Sequence, residues 1–187
     1  MVDYDNLSLW CDESWYDYNA EIGKPNYCRF VYDPVKASFY KIVTEHNIPD
    51  GYDSVNIKSG TIMEYKKDEF AQAPFGLQGP FFHFSKGAFN AMLWRESLDY
   101  DWNGKIYKVQ PLSPVVGNIS EGKAQFGAER LMFLNKVSPK QMIKKALEEL
   151  EANCEQVKIM NPLCYDDKAL PLIIKAWKKN KCSSYVY

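Results

Sequence analysis

The stretch that most constrains this chain runs from Gly79 to Val109 and reads as strand, helix, strand. Phe81–Phe84 is a short apolar run after a Gly- and Pro-containing loop, as expected for a buried strand. Ser85 is a residue type that caps helices, and in Lys86–Leu98 the residues Phe89, Met92 and Leu93 recur at helical spacing. Lys105–Val109 alternates as a strand, with Ile106 and Lys108 bracketing Tyr107. The unit places His83, one of the chain's two histidines, on the apolar strand beside the start of a helix. A junction of this kind can offer backbone N–H groups to an anionic ligand.

The rest of the chain mixes both element types. The first twenty-five residues combine Trp, Tyr and acids without a period and read as irregular structure. Tyr27–Tyr32 reads as a strand. Asp33-Pro34 has the form of a helix start, with Val35, Phe39, Ile42 and Val43 on one face of a helix to about His46. Val55–Tyr65 reads as strand broken at Ser59-Gly60, and Gly117–Gly127 as a polar loop. Arg130–Val137 is a strand. Ser138-Pro139 then opens a helix to about Asn153, with Met142, Ile143, Ala146, Leu147 and Leu150 inward. Val157–Met160 is a short strand, and Asp166–Lys179 a helix with Leu170, Ile173, Ile174 and Trp177 on one side. Strands and helices without regular βαβ alternation predict the α+β class. The expected division is an acidic, aromatic extension over 1–26, a core domain over 27–153 and a basic strand-and-helix extension over 154–187.

With 187 residues, 46% hydrophobic and 25% charged, the chain is long enough to bury a core without staples. A net charge of −1 gives no electrostatic case for nucleic acid. The charge is uneven: seven acids face Lys24 and Arg29 in residues 1–33, and ten lysines face six acids from Lys136 onward. Such ends suit either a partner surface or plain solvated faces. The aromatic content of 15% suits either a core or a ligand-lining surface. The cysteines at 11, 28, 154, 164 and 182 have no C-x-x-C spacing, and no metal site is expected. No secretory segment and no membrane-length apolar run is evident, which predicts a cytoplasmic protein with reduced thiols and no membrane partner.

Chemistry-bearing residues are few. His83 reads either as a general base or ligand donor, or as a strand histidine bonded to neighbouring backbone. His46, near a helix end, reads as structural. Glu129 follows a Gly-containing loop and precedes a strand; it reads either as an acid aimed into a cleft or as an exposed strand-end acid paired with Arg130. Ser85 is two places from His83 and on a strand shares its face, but no third group completes a triad. No phosphate-binding loop, dinucleotide fingerprint, zinc-protease or calcium-loop motif occurs.

The run Phe82-His83-Phe84-Ser85, the segment Ala88 to Trp94, and Gly104-Lys105-Ile106-Tyr107-Lys108-Val109-Gln110-Pro111 together resemble the middle of the ADP-ribosyltransferase-like fold. The likeness is to its rifampin-type branch: a short aromatic strand, Thr or Ser, a helix with Ala and Trp, then a Gly-Arg/Lys-Ile-Tyr-x-Val-x-Pro strand. It covers about a third of the chain. Ala128-Glu129-Arg130-Leu131 is similar to the acid-plus-strand segment of other members, and small phage and bacterial proteins of unknown function share the layout.

The resemblance implies a split, strongly bent β-sheet flanked by helices, with NAD between its halves. It implies transfer of ADP-ribose to an acceptor, a protein or a small molecule, with release of nicotinamide. On it, His83 and Glu129 are the catalytic candidates, and Tyr32, Ser85 and Tyr107 the cofactor-binding ones. The chain departs from the pattern where the family's His-Gly-Thr is replaced by Phe30-Val31-Tyr32-Asp33, and where His83 stands for the stacking Tyr. Leu112–Asn118 also lacks the family acid, which leaves Glu129 or Glu121. A different reading of the same scaffold is a non-catalytic binding module, such as a phage-encoded inhibitor or accessory protein acting through protein contacts.

Overall fold

A computed structural model describes residues 3–4, 7–10, 28–30, 32, 34–43, 56–65, 81–97, 105–120, 123–152, 154, 157 and 169–178. In chain order the strands are β1 Asp3–Tyr4, β2 Leu7–Trp10, β3 Cys28–Phe30, β4 Phe39–Val43, β5 Ile62–Glu64 and β6 Phe82–Lys86. Helix α1 (Ala88–Ser97) follows, then β7 Lys105–Pro111, β8 Val115–Ser120, β9 Lys123–Ala128 and β10 Arg130–Val137. Helix α2 (Pro139–Ala152) and a third helix, α3 (Ala169–Lys178), come last. Mixed helices and antiparallel strands make this an α+β fold.

The strands form one sheet in the order β1-β2-β3-β8-β9-β6-β4-β7-β10-β5, with antiparallel neighbours. Its centre is β6, which serves two partners in succession. Phe82, His83 and Phe84 pair with Ala128, Gly127 and Phe126 of β9. Ser85 and Lys86 pair with Tyr40 and Phe39 of β4. The sheet therefore has two halves joined through one short strand.

The inner faces of the halves share a core. Phe30, Phe82, Phe84, Val115 and Phe126 from one half meet Phe39, Val43, Tyr107, Val109, Leu131 and Phe133 from the other. Phe39 is the pivot, edge-on to Phe84 at 5.2 Å and to Phe126 at 6.4 Å. A second core lies beneath the helices, where Tyr40, Ile42, Ile106 and Val137 meet Phe89, Met92 and Leu93 of α1, Met142 and Ala146 of α2, and Ile173 of α3. Helix α2 starts as its sequence predicts. Ser138 Oγ accepts from the Gln141 N–H at 3.2 Å, and Gln141 Oε1 accepts from the Ser138 N–H at 3.0 Å, a reciprocal capping box.

Several expectations are corrected. The helix expected from Asp33 is a turn at Pro34–Lys36 followed by β4. Its apolar residues are buried because β4 has a neighbour on each edge and a core on each face, and Val35 is 90% exposed. The loop expected at Gly117–Gly127 contains the β8–β9 hairpin, with Asn118 opposite Gln125. The irregular N-terminus contains β1 and β2, and β2 pairs with β3. Val157 is helical rather than extended and buried in the helix-side core; Lys158–Met160 lie outside the described residues. His46, Glu121, and the cysteines at 11, 164 and 182 also lie outside them, as do Asp166–Lys168. None of the described helices is long and apolar enough to cross a membrane.

Candidate functional site

The junction between β6 and α1 is closed by the protein itself. Gly87 turns the chain at φ +77°, a conformation that favours glycine, and α1 begins one residue later. The N–H groups of Ala88 and Phe89 donate to Glu149 Oε1 and Oε2 at 2.8 and 2.9 Å. Glu149 comes from α2, so a carboxylate from a distant helix occupies the position expected to receive an anionic ligand. Burial pushes its carboxyl up from the ordinary value, while those two hydrogen bonds and the nearby Lys86 and Lys145 pull it back. The expected cap, Ser85, is instead a buried residue within β6, opposite Tyr40.

His83 is half-buried two places before Ser85, where the strand changes partner. The Gln125 Nε2 lies 3.3 Å from His83 Nδ1. An amide nitrogen only donates, so Nδ1 accepts and Nε2 carries the proton of the neutral ring. In that state the imidazole is suited to donate to a ligand oxygen rather than to remove a proton. The carbonyl of His83 accepts from Lys41 Nζ at 2.9 Å. Lys41 is only 3% exposed, and burial lowers its amine to about 8.

Glu129 is exposed in the single-residue link between β9 and β10. Its carbonyl accepts from the Tyr65 N–H at 3.0 Å, and the neighbouring Arg130 pairs with Glu64 at 3.4 Å rather than with it. The β6–β9 register brings the two catalytic candidates near one another. Phe82 faces Ala128 and His83 faces Gly127, so Glu129 lies two places further on, just past the end of the adjoining strand.

The cofactor-binding candidates do not join them. Tyr107 is 3% exposed and packs on Phe133 at a ring separation of 5.6 Å in the inter-half core. Ser85 is 4% exposed. Tyr32 is half-buried and edge-on to Phe39 at 4.9 Å, and burial raises its hydroxyl above the ordinary value. Among the described residues no three of His, Cys, Asp or Glu gather as metal ligands.

Three polar residues of this region escaped the sequence reading. Lys41 had a signal, as the one charge inside Phe-Tyr-Lys-Ile-Val. Gln125 lay in a stretch read as loop, and Glu149 among the acids on the polar side of a helix. Compared with known protein families, curated proteins and solved structures, the chain matches none.

Proposed function

We propose that the chain is a divergent ADP-ribosyltransferase-like protein that holds NAD where β6 runs beside β9. The observation that carries this reading is the register that pairs His83 with Gly127, which sets Glu129 two places further on, just past the end of the adjoining strand. In this reading His83 donates from Nε2 to a ribose or phosphate oxygen. Glu129 faces the positive charge that develops on the ribose as its bond to nicotinamide breaks. Nicotinamide leaves with the electron pair of that bond, and an acceptor nucleophile attacks the anomeric carbon and gives up its proton. The division of the sheet at β6 supports the same fold-level likeness, although fold alone does not carry function.

Calorimetric titration with NAD tests this. The native chain binds, His83→Ala weakens binding by about tenfold, the worth of one good hydrogen bond. Glu129→Ala binds but fails to transfer label from NAD to lysate proteins. Absence of heat at millimolar NAD would discard the reading.

A second reading, a non-catalytic binding module, is favoured by the burial of Ser85 and Tyr107. It predicts no NAD response and a stoichiometric protein partner, recovered intact by pull-down and lost when residues 1–25 are deleted.

A further inference from the structure

We infer that Lys41 is a positioning residue for His83, fastening the β6 backbone at the point where β4 and β6 part. Strand β4 pairs with β6 only at Phe39–Lys86 and Tyr40–Ser85. The next place along would set Lys41 against Phe84, whose partner on the other edge of β6 is Phe126 of β9. On its other edge β4 continues unbroken with β7 through Val43–Lys105. The ladder between β4 and β6 ends at Ser85, two residues from His83, and the Lys41 ammonium reaches the His83 carbonyl at 2.9 Å. The side chain of Lys41 thereby ties β4 to β6 beyond their last paired position.

The arrangement is expensive for stability alone. Lys41 lies 3% exposed on the strand face that carries Phe39 and Val43, both in the inter-half core. Burial is the cause that lowers its amine to about 8, and among the described residues no carboxylate offsets the desolvation. A methionine would fill similar volume without that cost. What the lysine adds is a fixed strand segment. The same residue whose carbonyl it holds carries the imidazole that meets Gln125. Lys41 therefore sets the depth and tilt of His83 without touching any ligand. That His83 acts on NAD rests on the reading above; that Lys41 sets His83 does not.

The test uses the full chain with ¹⁵N-labelled histidine, the His83 ring signals being assigned by their loss in His83→Ala. Lys41→Met removes the donor, and Lys41→Gln keeps an N–H while removing the charge. The expected result is that Lys41→Met shifts the His83 ring signals and weakens NAD binding by about tenfold, as for loss of one hydrogen bond. Lys41→Gln should return both toward native. A folded Lys41→Met protein with unmoved His83 signals overturns the inference. Should that variant not fold, the native protein decides. Its Lys41 amine must show nuclear Overhauser contacts to the His83–Phe84 backbone, and their absence overturns the inference equally. If the native chain gives no NAD heat, the functional reading fails while the ring signals still judge the role of Lys41.

Discussion

A single amine makes the pH dependence of this protein legible at the scale of the residue. Lys41 has an ordinary value of 10.5 and a folded value of about 8. Between these the unfolded chain holds a proton that the folded chain has lost, so stability rises with pH across the window. Below about 8 the folded chain carries the full cost of a buried ammonium, on the order of 3 kcal/mol from the displacement of the two values. Urea unfolding of the native chain and of Lys41→Met should therefore change with different slopes from pH 8 to 10, the native chain gaining on the variant; parallel curves would refute this. The same residue shows why part of the site was hidden in the sequence. His83 and Glu129 were visible because histidine is rare here and the acid interrupts a Gly-containing stretch. Lys41 left a signal that was passed over, since one charge in an apolar run reads as a turn of a helix toward water. Tyr107 and Ser85 were assigned to a cofactor on the resemblance alone, and a local motif does not say whether a second layer covers its residues.

Among the elements, α1 depends on a partner far away in sequence. Glu149→Ala removes both acceptors from its first turn and should cost about 1–2 kcal/mol, as loss of a good cap does. Glu149→Gln, which keeps one carbonyl acceptor, should cost about half as much. Gly87→Ala should cost about 1 kcal/mol or more, because the residue sits at φ +77° and a Cβ there would lie 2.9 Å from Glu149 Oε2. Made together with Glu149→Ala, its cost should shrink, since the clash is gone and the strain remains; thermal melts of the two singles and the double measure this coupling. The elements also divide by legibility. Arg130–Val137 and the helix after Ser138 follow from local signals, one from the short apolar run Leu131–Leu134, the other from its capping box. Phe39–Val43 defied them because a strand buried on both faces has no alternation left to read, and a Pro after Asp imitates a helix start. Lys123–Ala128 defied them because its glycine, glutamine and lysine are loop residues, held extended by pairing on both edges.

For the whole molecule, the α+β class could be read from the order of elements, whereas the sheet order could not, because it is set by pairings between distant segments. Phe39 joins the halves, touching Tyr32, Phe84 and Phe126. Phe39→Ala should cost about 3–5 kcal/mol in chemical unfolding, a large part of the total for a domain of this size. A loss under about 1 kcal/mol would mean that the halves hold together by other means. The sharing of β6 carries a further consequence for how this chain can change. Inserting one residue between Phe84 and Ser85 would turn every later side chain of the strand to the opposite side while leaving the earlier ones in place. If the later positions moved, the buried Ser85 and Lys86 would change faces; if the earlier ones moved, Phe82 and Phe84 would leave the core between the halves, so growth or loss by single codons is closed off along these five positions. Drift in this protein is thereby confined to exchanges of one residue type for another there, with lengthening left to the loops.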